Sequence, residues 1–473
     1  MNASHNRVSR AYYATWIPRK YGGTLEQRLV SLRENETRDR AQIEALRWAA
    51  LRRLLIHAEQ HVPYFRNVFR QSGLRADEIT DAVSFSRIPL LTKVDIQENL
   101  ESLVADNFER NALIRSATGG STGRPVPYYH DQEYEQQHSA MLLRNQAWTG
   151  WQFGDPIVKL WGSAFDVQLQ TQLKERVVNF FRNETIFPAY RMSQENQSRW
   201  LEMLHRIRPM MIMGYTNALV KLAEFSQENH IPVNDAGIKA VVCSADTLFP
   251  WHRQLIEKTF GCRLYNRYGS RELGTIAQEC DHRRMHINED WLYVEITDDL
   301  GRPLPPGETG QVVLTGFFNQ GMPFIRYAIQ DVAAFEPGDE PCPCGRSFHA
   351  LERLEGRIQD LIVMPEGGYI PGVFFGQVFK EFDIRRYQVV QPEIEKLEIY
   401  LVPGENFDEA SLEKVRQTIS QYTPGSQKNY HLVDDIPLNV SGKLRTIISH
   451  VARADVLREP QRQAPGEDNR RGG

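Results

Sequence analysis

The 473 residues contain no apolar run near the roughly 18 to 20 that would carry a helix across a bilayer, so no integral membrane segment is expected. The opening stretch Met1-Asn-Ala-Ser-His-Asn-Arg7 is polar and lacks the apolar core of a signal peptide, which makes the cytoplasm the expected location. Cysteine is scarce: five residues in so long a chain cannot build a disulfide framework, and only their clustering can carry information. Excess charge is missing as well. The 56 Lys and Arg against 60 Asp and Glu leave a formal charge of -4, which supplies no basic field for nucleic acid. Internal repeats are absent too. What is present, 41% hydrophobic and 25% charged residues, is ordinary for a soluble globular protein. The length points to two domains, one with a deep core.

The stretch most suggestive of a ligand is Ser116-Ala-Thr-Gly-Gly-Ser-Thr-Gly-Arg-Pro125. Paired glycines, two hydroxyl side chains, a third glycine and a closing proline describe a loop whose amides and hydroxyls can wrap phosphate oxygens. It is not a Walker loop, because Gly119 to Gly123 is too short and Arg124-Pro125 stands where Lys and Ser/Thr belong. Taken alone, the same composition also describes a surface turn.

In the first hundred residues Ile43, Leu46, Ala50, Leu54 and Ala58 make one helical apolar face. Pro63 is expected to stop that helix, with His57 and His61 structural or solvated. Thr92 is a candidate helix cap. After the glycine loop, helices (132–148, 198–207, 217–225) alternate with apolar strands (156–161, 210–214, 238–243). This order implies a largely parallel sheet with covering helices, and ligands collect at the carboxyl ends of such strands. From Trp291 the runs become short and β-like, suggesting a β-rich subdomain. Beyond Glu355, a strand at 396–402 and a helix at 409–422 suggest a small α+β domain. The expected fold is thus α/β: a large N-terminal domain (1–355) with mainly parallel sheets, a small mobile C-terminal domain (356–458), and a tail (459–473) without apolar anchors.

Downstream of the glycine loop come Tyr268-Gly-Ser-Arg-Glu272, Pro323-Phe-Ile-Arg-Tyr-Ala-Ile-Gln-Asp331, Cys342-Pro-Cys-Gly-Arg346, Gly356-Arg357 and Gly442-Lys443. With the loop Thr118 to Pro125, this ordered set resembles the AMP-forming adenylating superfamily of acyl-CoA synthetases. The resemblance is narrower to its phenylacetate-CoA ligase branch, including relatives associated with capsular polysaccharide gene sets, and it runs from about Leu54 to Ser449.

The resemblance implies ATP-dependent formation of an acyl-adenylate, in which positioning and electrostatics carry most of the rate. Thr118, Gly119, Gly120, Ser121, Thr122 and Gly123 would hold phosphates. Glu272 would bind Mg²⁺. Tyr268, with Gly269 and Ser270, would lie near the adenine, Ser244, Ala245 and Asp246 would line the nucleotide, Asp331 would bind the ribose hydroxyls, and Arg357 the ribose or phosphate. Lys443 would reach the α-phosphate in one pose of the small domain and leave in the other. At the hinge, Gln359 followed by Asp360 stands where the branch usually has a carboxylate, and Arg271 beside Glu272 is also unusual. Without the ordered set, the same residues read as a buried tyrosine, a solvated carboxylate and a surface ion pair. The branch implies a structural Zn²⁺ site as well, for which Cys280, His286, Cys342 and Cys344 are the ligands, His286 preferred over His282. Three reduced cysteines are the alternative, with Cys243 and Cys262 as small core residues.

The acid would be a small molecule held by Trp161, Phe165, Tyr215 and Tyr265, aromatic walls suited to an aryl or medium-sized acid, unless these are core residues. The acceptor would be CoA or a carrier-protein phosphopantetheine. Alternatives are delivery to an amine or sugar hydroxyl in polysaccharide biosynthesis, or a catalytically silent nucleotide-binding scaffold.

Overall fold

The computed structural model describes residues 3–20, 24–117, 126–161, 173–189, 191–298, 300–338, 340–357, 361–365, 369–371, 374–375, 378–379, 382–404, 406–437 and 444–451. The chain divides into two compact units, with Met1–Leu354 in the first and Glu355–Pro437 in the second.

In the first unit the helix Arg40–His61 begins in a capping box, Asp39 accepting from Gln42 N and Gln42 returning a contact to Asp39 N. Its Ile43, Ala50, Leu54 and Ala58 are buried and Leu46 is half-buried, as the periodicity predicts. Pro63 does more than stop this helix. It is the first residue of the next one, Pro63–Ser72, because a helix start has no use for the N–H that proline lacks. His57 contacts the Gln320 carbonyl and His61 faces Asp106, both structural contacts. Thr92 caps the helix Lys93–Glu98, accepting from Asp95 N at 3.2 Å.

The strands of this unit, in chain order, are β1 (Ile114–Ala117), β2 (Pro127–His130), β3 (Ile157–Trp161), β4 (Glu184–Pro188), β5 (Met211–Tyr215), β6 (Ala240–Ser244), β7 (Arg263–Ser270), β8 (Gly274–Glu279), β9 (Met285–Ile287), β10 (Leu292–Thr297), β11 (Gly310–Gly316), β12 (Tyr327–Phe335) and β13 (Ala350–Arg357). β1 and β2 form a hairpin. The rest form one 11-stranded sheet in the order β10-β11-β12-β13-β9-β8-β7-β6-β5-β3-β4. From β4 to β7 the pairs are parallel, and β5 and β6 are buried along their whole length, matching their continuous apolar runs. β7 is the seam: parallel to β6 on one side, antiparallel to β8 on the other. The β-rich region after Trp291 is therefore an extension of the same sheet, β10 lying at its edge. Apolar side chains on the two faces of the parallel part feed two cores, one with Met213, Val242 and Tyr265, the other with Ile212, Cys243 and Leu264, as strand alternation requires.

The second unit pairs β14 (Leu361–Val363) with β15 (Tyr369–Pro371) and builds a four-stranded sheet from β16 (Ile384–Glu393), β17 (Lys396–Pro403), β18 (Gln427–Leu432) and β19 (Ile447–Ser449). The helix Glu409–Tyr422, capped by Asp408, lays Leu412, Val415 and Ile419 into a core with Val389, Leu397 and Ile399. Buried Gln391 bonds both the amide and the carbonyl of Val363, tying β14 to this sheet.

Candidate active site

The carboxyl ends of the parallel strands line up in register. Leu160 pairs with Gly214, Tyr215 with Ser244, and Ser244 with Arg267, so Trp161, Tyr215, Ser244 and Arg267 form one row across β3, β5, β6 and β7. The Trp161 and Tyr215 rings lie 4.4 Å apart. Tyr265, two residues back on β7, is a buried core residue one layer deeper, with the Arg263 guanidinium 5.7 Å from its ring. Ala245, next after the row, holds a left-handed φ of 75°, a strained conformation for a residue with a Cβ. Asp246 turns inward: its carboxylate accepts from Asn217 N at 3.3 Å and its carbonyl from Thr216 Oγ1 at 3.1 Å, holding the start of the helix Thr216–Glu228.

The Tyr268 hydroxyl donates to Asp331 Oδ2 at 2.8 Å, joining two motifs far apart in sequence. Local irregularities make the contact. On β12 the register jumps from Ala328 opposite Val313 to Val332 opposite Gln311, so residues 329–331 bulge, with Gln330 at φ 69°. On β7 and β8 the register shifts at Tyr268/Gly269. Bulges of this kind re-aim side chains. Gly269 is required because a Cβ there would stand 2.6 Å from the Gly274 carbonyl oxygen.

Glu272 is buried, and its Oε1 accepts from the Tyr327 hydroxyl at 3.0 Å. Its carbonyl accepts from the Tyr134 hydroxyl at 3.1 Å and faces His130 Nε2 at the same distance. Among the described residues only Tyr327 bonds the carboxylate, which leaves Oε2 available. One anchored carboxylate with a spare oxygen suits Mg²⁺, which takes one or two carboxylates and completes its shell with water and phosphate oxygens. Arg271 is exposed, while its carbonyl accepts from the Tyr128 hydroxyl at 2.9 Å.

Away from this row, Cys280, His286, Cys342 and Cys344 place their ligand atoms within 4.8 Å of one another. The Cys280 and Cys342 sulfurs are 3.7 Å apart and Cys344 Sγ is 3.3 Å from His286 Nε2. Two thiolates about 2.3 Å from a tetrahedral zinc would be separated by about 3.8 Å. His286 Nδ1 faces the Phe348 carbonyl at 2.8 Å, the contact that leaves Nε2 free to ligate. The donor set and spacing fit a closed Cys₃His site. Burial pushes the Cys280 thiol up to about 12, so metal uptake would release protons. Cys243 and Cys262 are buried and half-buried within the second core, as expected of small apolar residues.

A family model described as the CapK C-terminal domain matches residues 362–450. Protein CapK of Staphylococcus aureus is 25% identical over 404 residues, covering 84% of this chain and 86% of its own length. A phenylacetate-coenzyme A ligase of Pseudomonas putida is 24% identical over 348 residues, 72% of this chain and 75% of its own. A solved 2-hydroxyisobutyryl-CoA ligase, in the postadenylation state in complex with 2-HIB-AMP, matches with TM-score 0.72 at 20% identity over 89% of this chain and 92% of that one. These relatives support placing the chain with the AMP-forming adenylating superfamily, as a phenylacetate-CoA ligase-like protein with CapK among its relatives.

Of the superfamily residues expected from the sequence, Tyr268, Glu272 and Asp331 sit on or beside β7 and β12, and Trp161, Tyr215 and Ser244 share the strand-end row. Thr118 to Gly123, Phe165, Gln359, Asp360, Lys443, the tail and the Arg357 side chain lie outside the described residues. Three features escaped sequence reading: Tyr327, Arg267, and a stack of His130, Tyr134 and His138 with ring centroids 3.9 and 5.5 Å apart. Burial pulls His138 down to about 4 and keeps it neutral. The i, i+4 spacing of Tyr134 and His138 on the helix Gln132–Ala147 was the available signal for that stack. No helix among the described residues is long and apolar enough to cross a membrane.

Proposed function

We propose that this protein is an AMP-forming acid–thiol ligase. A carboxylate oxygen of the acid attacks the α-phosphorus of ATP as the bond to pyrophosphate breaks. A thiol sulfur, from CoA or a phosphopantetheine, then attacks the acyl carbon and AMP departs. The observation that carries this reading is the joining of Tyr268, on the seam strand β7, to Asp331 on β12, beside the Tyr327-anchored Glu272. In this reading Asp331 accepts hydrogen bonds from the ribose hydroxyls, the Tyr268 ring flanks the adenine, the Ser244–Asp246 segment lines the nucleotide, and Thr118–Gly123 with Arg357 holds phosphate and ribose oxygens. Glu272 Oε2 would hold Mg²⁺, which when bound neutralises phosphate charge. Trp161 and Tyr215 wall the acid. The matched 2-hydroxyisobutyryl-CoA ligase structures hold an acyl-AMP and CoA, which supports the same order of steps here. In this reading residues 356–458 form the mobile small domain that brings Lys443 to the α-phosphate.

ATP–pyrophosphate exchange over a panel of carboxylic acids tests the first half-reaction, and added CoA, amine or sugar acceptors test the second. At least one acid should support exchange, with thioester formed on adding CoA. Lys443→Ala should lower exchange about a hundredfold while preformed acyl-adenylate is still transferred to thiol. Amide or ester as the only product would move the acceptor assignment, and equal damage to both half-reactions would remove Lys443 from the adenylation step.

We also propose that Cys280, His286, Cys342 and Cys344 hold one structural Zn²⁺. Purified protein should contain about one equivalent, and Cys344→Ser should lower metal content and thermal stability together. Metal-free protein of undiminished stability would sink the assignment.

A further inference from the structure

The strand-end row carries a cation that the adenylation steps leave unused. Arg267 follows Asn266 and precedes Tyr268 on β7, so strand alternation sends its side chain to the face opposite Tyr268, toward the one shared with Tyr265. Its backbone is fixed by β6, since the Ser244 hydroxyl donates to the Arg267 carbonyl at 2.9 Å. The side chain then lies along the row. Arg267 starts three strands from Trp161, roughly 14 Å away at about 4.8 Å per strand, yet its guanidinium carbon comes within 5.6 Å of the Trp161 ring centroid. Between them in the row stand Tyr215 and, next to Arg267, the small Ser244.

This guanidinium makes no ion pair and no side-chain hydrogen bond among the described residues. The arginines buried elsewhere in this unit behave differently: Arg144 is bonded to Asp290 and Asn288, and Arg326 to Glu295. Arg267 is half-buried, and loss of hydration pulls its pKa down to about 10, with the Cys243 thiol as the single opposing influence. It remains cationic at neutral pH. His138, its electrostatic neighbour, is neutral by burial and adds no repelling charge. A half-buried guanidinium with five donors, an aromatic face beneath it and no bonded acceptor among the described residues is poised for a planar anion, because guanidinium and carboxylate pair through two parallel bonds.

Resting on the acid-ligase reading, we infer that Arg267 is the specificity-determining residue of the acyl site, and that the preferred acid carries a second carboxylate, distal to the one that is activated. The Trp161 and Tyr215 rings then hold the carbon frame of the diacid, and Arg267 receives its far end. Arg267 does not serve the reacting carboxylate: Tyr268, which bonds Asp331 on the nucleotide side, leaves β7 from the other face.

The test is ATP–pyrophosphate exchange with matched pairs, aliphatic and aromatic dicarboxylates against their monoamides, for wild type, Arg267→Leu and Arg267→Lys. Wild type should favour the diacids by about ten- to a hundredfold in kcat/KM, the range of a hydrogen-bonded charge. Arg267→Leu should erase that preference by lowering diacid kcat/KM while leaving or raising that of the monoamides. Arg267→Lys should keep part of it, and its melting temperature separates misfolding from lost recognition. Equal use of both members of each pair by wild type would overturn the inference while leaving the ligase reading standing, as would an Arg267→Leu loss that strikes all acids alike. Exchange with no acid would instead bring down the ligase reading, and this inference with it.

Discussion

Glu272→Gln is expected to lower ATP–pyrophosphate exchange by about a hundred- to a thousandfold, the scale seen when one preorganised electrostatic group is removed from a phosphoryl or acyl transfer site. The substitution keeps the size of the side chain and an oxygen for the Tyr327 hydroxyl, now 3.0 Å from Oε1, so the fold around it should hold. What it removes is the negative charge that a hard divalent cation needs. Affinity for ATP, set by many contacts, should change only a few-fold, and raising the Mg²⁺ concentration should recover part of the lost rate. Tyr327→Phe separates charge from positioning: the carboxylate stays but loses its anchor, so the Mg²⁺ requirement should rise with a fall in kcat of only about tenfold. Initial exchange rates across a Mg²⁺ titration measure both. Near-normal exchange by Glu272→Gln would return this carboxylate to an ordinary buried side chain.

Which features could be read from the sequence follows from how local their causes are. The runs at 210–214 and 238–243 announce strands buried on both faces, and Thr92 announces a helix start, because each signal lies within a few residues of what it specifies. The Cys₃His cluster was legible because thiols and imidazoles are uncommon enough for a tight pair such as Cys342 and Cys344 to stand out. Pairing between distant strands was not legible. Ala350 lies opposite His286 and Gly310 opposite Ala333, and nothing in those short β-like runs says that they extend the parallel sheet instead of forming a subdomain. Arg267 was hidden for a similar reason. Its partner, Trp161, belongs to a strand three places away, and only the register of four strands makes the two side chains neighbours. Tyr327 stood in plain view inside a motif, but its role depends on a hydrogen bond to Glu272, which lies on a turn after β7.

Arg326→Met should destabilise the first unit by about 3 to 5 kcal/mol, the cost of leaving one member of a buried ion pair alone. Arg326 is 1% exposed and bonds both oxygens of Glu295, at 3.1 and 3.0 Å. It also donates to the carbonyls of Ser86, Ile88 and Gly301, so one guanidinium fastens two loops and β10 to the start of β12. Burial already raises the Glu295 carboxyl above its usual range, with Arg326 opposing the rise. Without the arginine it rises further. A carboxyl raised in the folded state favours folding while protonated and loses that advantage as pH climbs through the folded pKa. The defect should therefore be larger at pH 7.5 than at pH 5, and urea midpoints at the two values would show it. Adding Glu295→Gln should recover part of the loss by removing the stranded charge, yet not all of it, since three carbonyls still lack their donor. An unfolding free energy at pH 7.5 within about 0.5 kcal/mol of wild type would show that the pair holds nothing together. Arg326 itself adopts a left-handed φ of 50° immediately before Tyr327, a conformation the ion pair and carbonyl bonds must hold in place. Its loss should accordingly loosen β12 at the point where Tyr327 reaches Glu272 and the bulge presents Asp331 to Tyr268, so that exchange activity declines at temperatures well below the unfolding transition.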